Sequence, residues 1–251
     1  MARAHRLHED GGIFHVTHRC HNRAFLLKFA RDRDAYRDKL RETLHQFEVS
    51  LLDYCLTSNH VHLLIDAPAR SEVSGLMQKV AGEFARAYNH RKGRTNAFWG
   101  DNFHATLVEA GQYLWHCLRY IELNMVRCGV VKHPQEWEWV GYHEIMGARQ
   151  RYRLLDLERL CWRLRSDNLE EVRTVLEVTL KETLARDEMK REGCWTESLA
   201  VGTRVFVERI QPLILSRRET ETIEQSSGQW ILQETALSYG VKSRPKNGSK
   251  G

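Results

Sequence analysis

The chain has 251 residues, of which 42% are hydrophobic, so it is long and apolar enough to fold around a core. Its 38 Lys and Arg against 33 Asp and Glu give a formal net charge of +5, which permits a basic nucleic-acid patch without requiring one. No segment approaches the roughly 18 apolar residues of a membrane span, and the N-terminal MARAHRLHEDGG lacks the apolar core of a signal peptide. We therefore expect a cytoplasmic protein with no membrane partner.

The first part of the chain mixes predicted strands with predicted helices. Hydrophobic spacing predicts, in chain order, a strand at about 12–19, a helix at 32–47, strands at 49–57 and 60–66, a helix at 71–91, a strand at 103–109 and a helix at 111–128. The turn-forming pair Ser58 and Asn59 joins two of these strands as a hairpin, and Gly129 ends the last helix. This order indicates an α+β fold, a ferredoxin-like antiparallel sheet with helices packed on one face.

The second part of the chain has a different character from about residue 151. Its charged amphipathic pattern predicts helices at roughly 154–165, 168–190 and 197–217. We therefore divide the chain into a catalytic domain at 1–150, an α-helical C-terminal appendage at 151–240, and a polar, disordered tail at 241–251. All 13 histidines lie between His5 and His143, so any chemistry is expected in the first of these regions.

The predicted strand at 60–66 carries two histidines in the segment NHVHLLI. Residues two apart in a strand point to the same face, so His60 and His62 project together while Val61 and Leu63 face the other way. Two adjacent imidazoles make half of a metal site. A lone His-x-His pattern is more often a packed histidine beside a solvated one, so further residues must decide between the two interpretations.

The predicted helix at 111–128 supplies such residues. At about 100° per residue, one arc of this helix is apolar, and a second arc holds polar and reactive side chains. The members of the second arc are Tyr113, His116, Cys117, Tyr120, Asn124 and Arg127. Tyr120 and Asn124 are one turn apart, so a phenol and an amide oxygen can reach the same small volume. Any one of these residues could also lie on an ordinary solvated helix face.

Together, NHVHLLI and the later helical segment YIELNMVRCGV resemble segments of the IS200-like, single-tyrosine HUH transposases. Within them the sequence is most similar to the REP-associated tyrosine transposase branch. The segments FHVTHRCHNR, AFWGDNFHATLV and PQEWEWVGY also match, so the resemblance covers about residues 11–145. Met125 departs from the proline that the family has after the asparagine, and Cys128 from a common alanine, but neither position supplies a catalytic atom.

The resemblance implies a set of roles. Tyr120 would be the nucleophile, His60 and His62 would be metal ligands, and Asn124 would be the third ligand. The implied activity is that of a DNA transposase and endonuclease, which nicks and rejoins single-stranded, hairpin-containing DNA through a covalent 5′-phosphotyrosine intermediate. The implied cofactor is Mg²⁺ or Mn²⁺, and the implied fold is that of an HUH endonuclease.

The residue types suit this chemistry independently of the resemblance. A divalent cation reduces the charge repulsion that protects a phosphodiester, and two neutral imidazoles with one amide leave that cation strongly electrophilic. A tyrosine ester of phosphate has an energy close to that of the bond it replaces, so the strands can be rejoined without ATP. The absence of any nucleotide-binding glycine loop in the sequence agrees with this.

Several basic and aromatic residues are candidate DNA contacts. Cations that could bind phosphates are Arg19, Arg23, Arg91, Lys92, Arg94 and Arg127. Phe98 and Trp99 could stack on unpaired bases. For a short basic loop, solvated charge is an equally good interpretation.

Two other functions stay open. A decayed or domesticated copy could bind DNA without cleaving it, and a phosphotyrosine adduct distinguishes that protein from an active transposase. A hydrolytic metalloenzyme could combine the histidines with Asp53, Asp66 or Asp101, and it predicts that Tyr120→Phe retains activity. The sequence does not choose between a monomer and a homodimer.

Overall fold

A computed structural model describes residues 6–7, 11–186, 190–215, 219–225 and 227–235. The strands are β1 (Arg6–Leu7), β2 (Gly12–Arg19), β3 (Ser50–Leu56), β4 (His60–Ala67), β5 (His104–Val108), β6 (Ala200–Gly202), β7 (Ile214–Leu215), β8 (Thr220–Glu224) and β9 (Trp230–Glu234). The α-helices are α1 (Ala30–Leu44), α2 (Arg70–Lys92), α3 (Gln112–Glu122), α4 (Asn124–Arg127), α5 (Tyr142–Ile145), α6 (Leu157–Leu164), α7 (Leu169–Ala185), α8 (Cys194–Glu197) and α9 (Arg204–Ile210). Short 3-10 helices occur at His21–Arg23, Pro134–Glu136 and Gln211–Leu213. The tail predicted at 241–251 lies outside the described residues.

One sheet organises the described part of the chain. Its strand order is β3–β4–β2–β5–β6–β9–β8, and β1 pairs separately with β7. The first four strands are antiparallel and reproduce the ferredoxin-like order, and β3 and β4 form the predicted hairpin. The predicted α+β fold is therefore confirmed. Within the described residues, no helix combines the length and apolar character needed to cross a bilayer.

Helices cover this sheet on both faces. Helices α1 and α2 pack against each other on one face, where the rings of Tyr36 and Phe84 meet edge to face at 5.1 Å. This is the helical layer that the sequence predicted. Helix α3, followed by α6 and α7, covers the opposite face, which is the one towards which His60 and His62 point. The predicted metal ligands therefore lie between the sheet and α3.

The C-terminal region contributes helices and strands. The helices predicted at 154–165 and 168–190 are α6 and α7, but the single helix predicted at 197–217 is wrong, because this segment contains β6, α9 and β7. Strand β6 runs parallel to β5 and accepts backbone hydrogen bonds from Leu107 (to Leu199, 2.9 Å) and Glu109 (to Val201, 3.0 Å). These bonds satisfy backbone groups that would otherwise lie on an open sheet edge, which helical spacing in the sequence cannot reveal. The sheet therefore contains strands from both sides of residue 150.

The predicted helix at 111–128 is divided at Leu123, whose backbone (φ −81°, ψ 4°) departs from helical geometry. Backbone bonds from Leu123 to Arg119 (3.0 Å) and from Arg127 to Leu123 (2.9 Å) keep α3 and α4 nearly continuous. Gly129, with φ at +68°, ends α4 in the left-handed conformation that favours glycine. Tyr120 and Asn124 thus stay one turn apart on either side of the distortion.

Candidate active site

Strand β4 places two imidazoles side by side beneath α3. The rings of His60 and His62 lie 4.8 Å apart between centroids, and His62 is 2% exposed. Val61 and Leu63 point to the other face, where both are fully buried. The alternation predicted for this strand is therefore confirmed.

A hydrogen-bond relay sets the proton position on His62. His15 on β2 donates from Nδ1 to the carbonyl oxygen of Trp195 (2.8 Å), which can only accept. Because burial lowers the pKa of His15 to about 3, its ring is neutral, and Nε2 accepts from His62 Nδ1 (2.9 Å). Burial also holds the pKa of His62 well below its ordinary value. His62 therefore presents an unprotonated Nε2, which can act as an acceptor or a ligand, on the side facing α3.

The proton on His60 is set from the β3–β4 turn. His60 Nδ1 lies 2.7 Å from Asn59 Oδ1, which can only accept, and 2.9 Å from Thr57 Oγ1. The proton is therefore on Nδ1. Burial lowers the pKa of His60 to about 3, with smaller effects from nearby Arg19 and Arg127. His60, like His62, is a neutral imidazole with an unprotonated Nε2.

Asn124, at the start of α4, completes the cluster. Its Nδ2 donates to His62 Nε2 at 2.9 Å, while its Oδ1 is buried and has no hydrogen-bond partner among the described residues. An orphaned buried acceptor costs about 1–3 kcal/mol, so it needs an explanation. A cation that binds this oxygen and the two imidazole nitrogens would supply one. The donor set fits a divalent metal with open positions for water and substrate.

Tyr120 on α3 lies against the same histidines. Its ring meets His62 edge to face at 6.1 Å and His15 at 6.0 Å, and Trp195 lies 6.3 Å away on a third side. The side chain is 3% exposed. Burial raises the pKa of Tyr120, with a smaller opposing effect from Arg127, so the phenol is protonated at neutral pH.

Arg127 is packed directly on this tyrosine. Its guanidinium carbon lies 4.1 Å from the centre of the Tyr120 ring, and Nη2 donates to the Tyr120 carbonyl at 3.1 Å. A cation beside the phenol stabilises negative charge that develops there. Histidines, asparagine, tyrosine and arginine thus converge on one buried volume.

Comparison with known proteins shows what the chain is similar to. Residues 10–124 match the family model described as "Transposase IS200 like". This part of the chain is therefore similar to that family. A Haemophilus influenzae protein described as a REP-associated tyrosine transposase is 22% identical over 125 residues, which are 45% of this chain and 70% of that protein. A solved REP-associated tyrosine transposase bound to a REP hairpin shares the fold, with a TM-score of 0.50 and 19% identity over 59% of this chain and 86% of the other.

The basic residues predicted to bind DNA differ in their exposure and in their pairing. Arg19, on the strand position that pairs with His60, is exposed, and so is Arg23 in the following loop. Arg91 differs, because it forms an ion pair with Asp32, whose side chain is completely buried. Asp32 compensates part of its charge, but the Arg91 side chain is 40% exposed and stays a predicted phosphate contact.

Lys92 and Arg94 flank an aromatic side chain at the end of α2. Their cationic groups each lie 5.9 Å from the centre of the Tyr88 ring. Lys92 also lies 5.3 Å from the ring of Phe29. Both residues are partly exposed and stay candidates for binding phosphate.

The two aromatic residues predicted to stack on DNA bases are packed in the protein. Phe98 is 2% exposed and meets Phe84 at 5.1 Å and Tyr88 at 4.7 Å. Trp99 donates from Nε1 to the Ala81 carbonyl (3.0 Å), and its ring stacks on His18 at 4.2 Å. The prediction is corrected for Phe98, and Trp99 is committed to packing, because both rings join α2 to the sheet.

The metallohydrolase alternative lacks an acidic ligand. Within the described residues, no cluster of three or more His, Cys, Asp or Glu side chains could hold a metal. Asp66 is bound by Arg159 and Arg163, and Asp53 is buried beside Glu122. The side chain that lies against His62 on the α4 side is instead the Asn124 amide.

Sequence reasoning missed His15 and Trp195. His15 lies in the quoted segment FHVTHRCHNR, and its position on the same strand face as Thr17 follows from alternation, so a partner of His62 could have been found there. Trp195 gives no such signal, because it is 180 residues from the histidine that it contacts.

Proposed function

We propose that this chain nicks and rejoins single-stranded, hairpin-containing DNA through a covalent bond between Tyr120 and a 5′-phosphate, assisted by Mg²⁺ or Mn²⁺ bound to His60, His62 and Asn124. The observation that carries the proposal is the Tyr120 ring lying edge-on to His62, whose Nε2 is bonded to Asn124. The choice of hairpin DNA is supported by the solved relative, which is bound to a REP hairpin.

A bound divalent cation would stabilise the charge that builds on a non-bridging phosphate oxygen. The protein keeps both imidazoles neutral by burial and fixes their protons with Asn59 and His15, so that each ligand nitrogen carries a lone pair. Asn124 offers its unpartnered Oδ1. These positions need no reorganisation of the two histidines before catalysis.

In the cleavage step the Tyr120 oxygen forms a bond to phosphorus while the bond from phosphorus to the DNA 3′-oxygen breaks. The phenolic proton leaves to solvent, and the departing 3′-oxygen takes up a proton. Arg127, 4.1 Å from the ring centre, favours the phenolate that this step requires. In the reverse step a free 3′-hydroxyl attacks the phosphotyrosine and Tyr120 leaves, so joining needs no ATP.

A protein that binds DNA without cleaving it is the second candidate. The burial of Tyr120, at 3% exposure, favours it, because an attacking phenol must meet a phosphate. The active enzyme therefore requires the segment around Trp195 or Arg127 to make room for the DNA strand.

The test is incubation of the full chain with 5′- and 3′-labelled single-stranded hairpin DNA, with and without Mg²⁺ or Mn²⁺. We expect a metal-dependent, denaturant-resistant adduct on the 3′ side of the nick. The adduct should be absent from Tyr120→Phe and from the double variant His60→Ala, His62→Ala. Tyr113→Phe, on the same helix but facing His116 instead of His62, is the matched control and should retain the adduct. Binding without any nick or adduct would support the DNA-binding candidate.

A further inference from the structure

Two phenylalanines are exposed in the segment that links β2 to α1. Phe25 is 66% exposed and Phe29 is 53% exposed, although both are large apolar side chains. A single exposed ring is ordinary, but two within four positions form a local apolar surface whose exposure has a hydration cost. Such a surface beside a candidate active site suggests a ligand.

Cations surround one of these rings. The charged groups of Lys28, Arg31 and Lys92 lie 5.9, 5.7 and 5.3 Å from the centre of the Phe29 ring. Residues 19–33 contain five basic residues and one acidic residue, Asp32. Asp32 is buried and is paired with Arg91 and, at 3.9 Å, with Arg31, so a single carboxylate faces several cations. Phe25 and Phe29, with Arg23, Lys28, Arg31 and Lys92, are called the aromatic–basic patch below.

The aromatic–basic patch is tied to a predicted metal ligand. Asn59 donates from Nδ2 to the Arg23 carbonyl (3.1 Å), and its Oδ1 accepts from His60 Nδ1 (2.7 Å). The Leu27 N–H donates to the Ser58 carbonyl at 2.9 Å. These bonds hold Asn22 and Arg23 at φ values of +53° and +56°, a conformation that non-glycine residues seldom adopt. The loop is therefore held in place against the turn that carries His60.

We propose that the aromatic–basic patch binds unpaired DNA nucleotides, with bases stacked on Phe25 and Phe29 and phosphates near Lys28, Arg31 and Lys92. Base stacking needs an accessible π-face, which an unpaired nucleotide has and an interior base pair lacks. The alternation of rings with cations, which outnumber the nearby carboxylate, matches a nucleic-acid strand, in which apolar bases alternate with phosphates. This inference rests on the proposed function, because it gives the strand cleaved at Tyr120 a binding surface beside His60.

The test is fluorescence anisotropy of an unstructured, labelled single-stranded oligonucleotide with the full chain in EDTA, so that cleavage does not contribute. We expect the double variant Phe25→Ala, Phe29→Ala to bind at least about 10-fold more weakly than wild type, since stacking of one base contributes on the order of 1–3 kcal/mol. The double variant Phe25→Trp, Phe29→Trp should restore binding. A blunt duplex of the same length should show less than half of this loss in logarithmic affinity.

Tyr152→Ala is the matched control. Tyr152 is a 70% exposed aromatic residue with the Arg41 guanidinium 5.2 Å from its ring, but it lies outside the patch. It should leave the affinity unchanged. A second readout is photocrosslinking of an oligonucleotide containing 5-iododeoxyuridine, which should attach to the peptide carrying Phe25 and Phe29.

Two results would overturn the inference. They are unchanged single-strand binding by the double alanine variant and an equal loss of affinity for duplex DNA. Failure of the proposed function has a different signature, because wild type would then bind the oligonucleotide through the patch and form no adduct with metal.

Discussion

The two ends of β4 carry polar side chains on the same face of the sheet, but they differ in how the polar atoms are paired. At the far end, Asp66 is 2% exposed, and Arg163 binds it through two hydrogen bonds of 2.8 and 2.6 Å. Arg159 binds the same carboxylate. At the near end, His60 and His62 keep unprotonated nitrogens, and Asn124 keeps an orphaned oxygen.

The contrast separates stability from function. A buried charge must be paired and hydrogen-bonded, and the two arginines of α6 meet that requirement for Asp66. The histidine end instead leaves acceptor atoms pointing into one small volume, and this lowers the free energy of unfolding. Substitutions at the two ends should therefore change different properties.

The largest effect is expected at the histidine end. Asn124→Ala should reduce DNA cleavage by about 10³-fold, equivalent to roughly 4 kcal/mol, because it removes the proposed oxygen ligand. Its free energy of unfolding should fall by only about 1 kcal/mol, because the substitution removes the hydrogen bond from Nδ2 to His62 Nε2, whereas the lost oxygen has no partner among the described residues. Single-turnover cleavage rates and urea denaturation measure the two quantities. Full activity of Asn124→Ala would remove the amide from the metal site.

Asp66→Ala should behave in the opposite way. We expect a loss of about 3 kcal/mol in the free energy of unfolding, because Arg163 is only 18% exposed and loses its bidentate partner. The contribution of Arg159 is smaller, since it is 41% exposed and solvent screens its charge. Cleavage per folded molecule should be unchanged. Asp38→Ala breaks the exposed pair with Arg41 at 3.5 Å and should cost no more than about 0.5 kcal/mol in the same denaturation experiment.

The two ends also differ in how well the sequence predicts them. Alternation in NHVHLLI was sufficient to place His60 and His62 on one face, and helical spacing placed Tyr120 one turn from Asn124. The partners of the first pair were not predictable in the same way. Trp195 reaches His15 because β6 adds to the edge of β5, and no local pattern in residues 190–202 encodes that pairing.

The roles of the aromatic residues were a second feature that the sequence did not predict correctly. Composition indicated stacking side chains in a basic region, but Phe98 and Trp99 are used for packing, while Phe25 and Phe29 are exposed. Sequence hydrophobicity does not distinguish these cases, because the outcome depends on whether α2 lies over the ring.

His15 offers a further test of the histidine end of β4. His15→Phe keeps the volume but removes the acceptor for His62 Nδ1–H, so the lone pair on Nε2 is no longer fixed. We expect Mn²⁺ affinity to fall by about 10–100-fold, as measured by calorimetric titration without DNA. His18→Phe is the matched control, because His18 is a buried histidine on the same strand that faces Trp99 instead. Equal affinities for the two variants would mean that His15 has a packing role only.

A third arrangement of buried polar groups, a pair of carboxyl groups, lies midway between the two ends of β4. Asp53 on β3 pairs in register with Leu64, midway along β4, and is buried beside Glu122 of α3. None of the four carboxyl oxygens has a well-formed hydrogen bond within the described residues. Burial raises the pKa of Asp53 and of Glu122 well above their ordinary values, and charge on Asp53 raises the pKa of Glu122 further. Here the carboxyl groups are neutral because they keep their protons. Asp66, by contrast, is neutralised by arginines, and the histidines are neutral because they have lost a proton.

A dependence of stability on pH follows from those protons. A carboxyl whose pKa is raised on folding stabilises the protein fully below its unfolded pKa of about 4, and this contribution is lost as pH rises through the folded pKa. Wild type should therefore lose stability as pH increases above about 4, by on the order of 1 kcal/mol per pH unit while one carboxyl of the pair is titrating. The double variant Asp53→Asn, Glu122→Gln stays neutral, so its thermal stability should be flatter between pH 5 and pH 8, in buffers of about equal ionic strength. Asp38→Asn, which alters an exposed carboxyl, should keep the wild-type slope. If the double amide variant also keeps that slope, the Asp53 and Glu122 carboxyls are not the retained protons, and the pH dependence must come from elsewhere in the fold.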